Sequence, residues 1–192
     1  MTAPAVNSYS VSLIFGGEIE QTFRQLKREV ESCAVCPRQP HITLIYDFLP
    51  ADGLDGVIER LGDLAKRLMP FRLELEGIRY FNTVNNVAYV GVKNRQKVDE
   101  LISNMVEAIK DAVTGYYAQK EYSLQHHTPH LTIGEKIPGE KLEEIQSKLA
   151  GYNVSHACEV QEFYLAGETG GEWQIIKKFV FGESGKEKGD DE

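Results

Sequence analysis

Two short stretches place proton-moving and anion-holding side chains side by side. Pro40-His41-Ile42-Thr43-Leu44 and Pro129-His130-Leu131-Thr132-Ile133 share the order Pro, His, apolar, Thr, apolar. Each reads as part of a β-strand, where side chains alternate faces with period two. His41 and Thr43 therefore share one face, and His130 and Thr132 do the same. Ile42, Leu44, Leu131 and Ile133 take the opposite, core-facing row. Two imidazoles beside two hydroxyls suit metal-free phosphoryl chemistry. One imidazole takes a proton from the attacking oxygen and the other protonates the leaving oxygen, tasks matched to an ordinary imidazole pKa near neutrality. The hydroxyls can donate hydrogen bonds to the non-bridging oxygens, where charge must be stabilised.

The elements that must hold these strands follow from periodicity and punctuation. Strands are expected at Tyr9–Phe15, His41–Leu49, Phe71–Phe81, Asn86–Val92, His130–Ile137, Val154–Ala166 and Trp173–Gly182, the last two joined by a Gly-rich hairpin turn. Helices are expected at Glu18–Glu31, Leu54–Leu68, Gln96–Val113 and Pro138–Ala150, each with apolar residues at helical spacing. The first, for example, aligns Ile19, Phe23, Leu26 and Val30. Residues 9–81 read strand, helix, motif strand, helix, strand. Residues 86–182 begin with the same order and end in a strand pair. Two α/β lobes related by approximate symmetry would set the motif strands next to each other, lining one cleft.

Length and composition bound the rest. At 192 residues with 42% hydrophobic residues, one domain over 1–182 is expected, built of lobe-like repeats at about 9–81 and 86–182. The net charge of −8 argues against a general nucleic-acid coat protein. Five acids and two lysines fall in 183–192, which reads as a disordered acidic tail. No apolar run approaches the roughly 18 residues of a membrane span, and the N-terminus has no signal-peptide pattern. Three cysteines suit a reducing compartment, so a cytoplasmic monomer is expected.

The pair His41-Ile42-Thr43-Leu44 and His130-Leu131-Thr132-Ile133 resembles the twin H-x-T/S-x signature of the 2H phosphoesterase superfamily, which includes LigT-like 2′-5′ RNA ligases and cyclic nucleotide phosphodiesterases. The resemblance runs over about residues 9 to 182, including Phe71-Arg72-Leu73-Glu74-Leu75 before Gly77 and the closing Trp173–Phe181. It implies an α+β fold: two pseudo-symmetric antiparallel-sheet lobes with outer helices and a central groove. It implies His41 and His130 as the acid/base pair, Thr43 and Thr132 as phosphate binders, and no cofactor or metal. The implied activity opens a 2′,3′-cyclic phosphate, on a nucleotide or RNA terminus, to a 2′-phosphate. Cleavage of 2′-5′ oligoadenylates or RNA 3′ ends, 2′-5′ RNA ligation, and nucleotide binding with little turnover are the alternatives. Ile45-Tyr46-Asp47-Phe48 and Gly134-Glu135-Lys136 depart from the LigT branch, which often carries an arginine after its second motif.

Other residues are weighed against bland roles. Lys136 is a candidate replacement for that arginine, and Arg38, three residues before the first motif, is a candidate phosphate contact. Strict alternation from His41 puts Tyr46 and Phe48 on the core side, leaving Tyr122 as the better base-stacking candidate. His126 and His127 read as solvated loop residues, and His156 as structural. Cys33 and Cys36 form a CxxC at a helix end without the further ligands of a zinc site, and read as incidental thiols.

Overall fold

The computed structural model describes residues 6–115 and 127–182. Tyr122, His126 and the acidic tail 183–192 lie outside the described residues. The strands are β1 (Ser8–Ile14), β2 (His41–Pro50), β3 (Phe71–Phe81), β4 (Asn86–Val92), β5 (Val113–Thr114), β6 (His130–Ile137), β7 (Ser155–Val160), β8 (Glu162–Thr169) and β9 (Glu172–Val180). The helices are α1 (Gly17–Val30), α2 (Leu54–Arg67), α3 (Arg95–Ile109) and α4 (Leu142–Leu149), the last preceded by a 3₁₀ turn at Gly139–Lys141.

All nine strands join one antiparallel sheet in the order β7-β3-β4-β6-β2-β1-β8-β9, with β5 pairing the far end of β2. The motif strands β6 and β2 are central neighbours. They meet only at Ile42 and Leu131. The pattern repeats at 9–81 and 86–182 do not coincide with the two halves of the sheet. β3 crosses from the first repeat to pair with β4 and β7, and β8-β9 cross back to pair with β1. The expected strand Val154–Ala166 is in fact two strands. It breaks at Gln161, so β7 closes one edge of the sheet while β8 enters the other half.

The helices cover one face of the sheet because each carries a single apolar stripe. α1 buries Ile19, Phe23, Leu26 and Val30, and packs on β6 and α4. α2 buries Val57, Leu61, Leu64 and Ala65, and packs on α3 and β9, while α3 also reaches β2. Beneath them lie the core-facing residues of both motifs, Ile42, Leu44, Leu131 and Ile133, at most 2% exposed. His156 takes a structural place, its Nε2 2.9 Å from the Thr22 hydroxyl of α1. No helix among the described residues is long and apolar enough to cross a membrane.

Candidate active site

Burial of the apolar row turns His41, Thr43, His130 and Thr132 to the uncovered face. All four are partly exposed, and they surround the Ile42–Leu131 contact. The two imidazoles are held alike. Nδ1 of His41 lies 3.1 Å from the Gln39 carbonyl, and Nδ1 of His130 lies 2.6 Å from the Thr128 carbonyl, each two residues upstream. A carbonyl only accepts, so the proton of each neutral ring is placed on Nδ1. Nε2 of each ring, like both threonine hydroxyls, makes no hydrogen bond to another described residue.

The equivalence extends beyond the tetrads. On β2, Val11 pairs with Ile45 and Ser12 with Thr43, so Leu44 is an extra residue. On β6, Ala88 pairs with Gly134 and Tyr89 with Thr132, so Ile133 is an extra residue. Each strand therefore carries a β-bulge three residues after its histidine, which buries two successive residues and reverses the alternation. Asp47 and Lys136, each six residues past the histidine, both take φ of 56°, the two positive-φ residues other than glycine among the described residues. The bulge overturns the placement of Tyr46 on the core side. Tyr46 is 47% exposed, and its ring lies 6.1 Å from that of Trp173 on β9. Phe48, by contrast, is buried as expected.

The two histidines differ in setting. His130 sits edge-on to Phe81 and Tyr89, ring centroids 5.0 and 5.1 Å away, and those two rings stack on each other at 4.2 Å. Burial pushes the His130 pKa down to about 4. The hydrogen bond to Thr128 opposes the shift, while repulsion from His127 and His41 adds to it. At neutral pH the His130 ring is therefore uncharged. Burial also lowers the pKa of His127.

His127 is the residue beside the motifs whose place the sequence did not reveal. Its Nε2 donates to the Thr43 carbonyl at 2.7 Å, tying the segment before the second motif to the first motif strand. Arg95 of α3 holds the His127 carbonyl at 2.9 Å and is itself fixed by Asp99. The available signal was His127 lying three residues before a strand that must meet β2. Arg38 is drawn into an exposed ion pair with Glu172, 2.6 Å away, beside Trp173. Lys136 lies exposed in its left-handed bulge position, with no contact to the motif side chains among the described residues. Carboxylates gather near Tyr46, whose pKa is raised first by burial and then by Asp47, Glu135 and Glu168. Cys33 and Cys36 are free, and burial raises the Cys36 thiol. Among the described residues no cluster of three or more His, Cys, Asp or Glu could hold a metal ion.

Comparison with solved structures returns this architecture. TT0787, a protein of Thermus thermophilus, superposes with a TM-score of 0.66 at 17% identity, covering 93% of this chain and all of its own. Escherichia coli LigT, solved with 3′-AMP, gives 0.64 at 13% identity, covering 91% of this chain and 97% of its own. These likenesses are of fold. Among sequence relatives, a Halalkalibacterium halodurans protein, provisionally named a phosphoesterase, is 26% identical over 145 residues, 74% of this chain and 80% of its own length. A Geobacillus relative with the same provisional name (strain WCH70) is 24% identical over 184 residues, 94% of this chain and 98% of its own. The model of one family, described as the 2′-5′ RNA ligase superfamily, matches residues 15–172 and so takes in both motifs. The chain belongs to the 2′-5′ RNA ligase superfamily.

Proposed function

We propose that the protein is a phosphodiesterase that opens a 2′,3′-cyclic phosphate, on a nucleotide or an RNA terminus, to a 2′-phosphate. One observation carries this reading. Two imidazoles, each tied through Nδ1 and each open at Nε2, stand beside two unengaged threonine hydroxyls around a single strand contact. Water attacks phosphorus, and Nε2 of His130 takes its proton as the new P–O bond forms. The P–O3′ bond breaks, and protonated Nε2 of His41 gives its proton to the departing oxygen. The products are a 3′-hydroxyl and a 2′-phosphate. His130 takes the base role because its burial keeps it neutral. Thr43 and Thr132 donate to the non-bridging oxygens as charge builds there.

The relatives' phosphoesterase names and the 3′-AMP in the LigT structure support a nucleotide phosphoester as the ligand class. The exposed Tyr46–Trp173 pair offers a stacking surface for a base, and the surrounding carboxylates can accept hydrogen bonds from its exocyclic amines. The test is turnover of nucleoside 2′,3′-cyclic phosphates beside 2′-5′ and 3′-5′ dinucleotides, with and without chelator. The expected result is a chelator-resistant 2′-phosphate product, with His41→Ala and His130→Ala each slowed by roughly 10²- to 10⁴-fold. Full activity in either variant refutes the mechanism. A 3′-phosphate product refutes the regiochemistry, and faster cleavage of the 2′-5′ dinucleotide replaces the cyclic substrate with an oligonucleotide.

A further inference from the structure

The two motifs account for one phosphate, and a further cation stands on the same face of the sheet. Arg79 of β3 pairs across the ladder with Tyr89, and Tyr89 pairs with Thr132. Two residues on, Phe81 reaches the His130 ring, so Arg79 shares the uncovered face by alternation. Its side chain lies flat over Gly91 of β4. A Cβ at that glycine would stand 2.8 Å from Nε and 2.9 Å from Cζ of Arg79. Gly91 is the ladder partner of His130. The guanidinium is thus held about 5 Å, one strand spacing, from the His130 row. The glycine is what permits that approach.

Arg79 makes no hydrogen bond or ion pair with another described residue. Arg38 and Arg72, outside the helices, are matched by Glu172 and Glu74, and Arg95 of α3 by Asp99. The guanidinium has no carboxylate partner among the described residues, although the chain carries a net charge of −8. It also lies in the half of the sheet opposite Tyr46 and its carboxylates. Guanidinium is suited to phosphate, which it can hold through paired N–H donors.

We propose that Arg79, seated over Gly91, binds a second phosphate of the substrate, distinct from the phosphate held between the two histidines. The preferred substrate is then a doubly phosphorylated nucleotide or an RNA terminus, whose 5′-side phosphate reaches Arg79. This rests on the phosphodiesterase reading of the same groove, so the test measures binding as well as turnover. Calorimetry with a nucleoside 2′-phosphate and its 2′,5′-bisphosphate gives an affinity ratio for each variant. The wild type is expected to favour the bisphosphate by about 10- to 100-fold, the worth of one charge-assisted contact. Arg79→Ala brings the ratio close to one and lessens the salt dependence of bisphosphate binding. Gly91→Ala, which displaces the guanidinium, reduces the ratio in the same direction. A wild-type ratio near one, or an unchanged ratio in Arg79→Ala, overturns the proposal. Failure of the wild type to open any cyclic phosphate overturns the reading it rests on, while the affinity ratio still decides the role of Arg79 on its own.

Discussion

Removing the Phe81 ring tests the cause assigned to the unusual proton affinity of His130. The ring contacts His130 edge-on at 5.0 Å and braces Tyr89, which covers the imidazole from a second side. Burial is the largest influence holding the His130 pKa down to about 4. The distance from the ordinary value of about 6.5 corresponds to at most about 3 kcal/mol favouring the neutral ring. Phe81→Ala exposes one side of it and should recover between a third and a half of that, moving the pKa to roughly 5. At pH 5 the neutral fraction then falls from about 90% to about 50%, so the acid limb of kcat/KM moves upward with it. The sign for stability is also determined. The unfolded chain takes up a proton at this ring as pH falls through about 6.5, whereas the folded chain resists until about 4. Stability is therefore full above about pH 6.5 and declines across that window, and the decline is smaller in Phe81→Ala. Heteronuclear NMR of the imidazole carbon and proton, with denaturant unfolding at about pH 7 and about pH 4.5, measures both. A His130 that still titrates near 4 without the Phe81 ring would refute burial as the cause.

Two other substitutions probe the surroundings. His127→Ala leaves the Thr43 carbonyl without its side-chain donor, which should cost about 1–3 kcal/mol of stability. Because the motif strands otherwise meet at one pair, it should lower kcat more than it raises KM; wild-type values for stability and kcat would dismiss the tether. Trp173→Ala removes half of the exposed aromatic pair and should raise KM for a nucleotide by about 5- to 100-fold with little change in kcat, as expected for lost stacking. An unchanged KM would place the base elsewhere.

Much of the site was legible because its signal is local. The tetrads announce themselves as strands with one apolar row, and the buried faces of α1, α2 and α3 follow the helical period read from the chain. What escaped depended on pairing. Alternation from His41 assigns Tyr46 to the core only while the strand is regular, and the extra residue at Leu44 becomes visible only against its partner β1. His127 looks like a loop residue until β2 and β6 are brought together. Arg79 has no special sequence context, since its position is set by a glycine on a different strand. The run 154–166 reads as one strand because both pieces are extended and no glycine or proline separates them. Its division at Gln161 reflects two destinations at opposite sides of the sheet.

The exchange of strands between the halves has a consequence for how the molecule is made. β1 lies between β2 and β8, and the Tyr9–Gly167 and Val11–Leu165 pairings join the two ends of the described chain. β3 likewise waits for β7. During synthesis neither half of the sheet can close on its own, however complete the first repeat is when it leaves the ribosome. Such long-range pairing costs loop-closure entropy before any contact repays it, and it slows folding. Until the last strands arrive, the exposed edges of β1 and β3 are open to pairing with other chains. The groove is thus assembled late and all at once, and a chain lacking its closing hairpin is expected to be an aggregation hazard rather than a half-active enzyme.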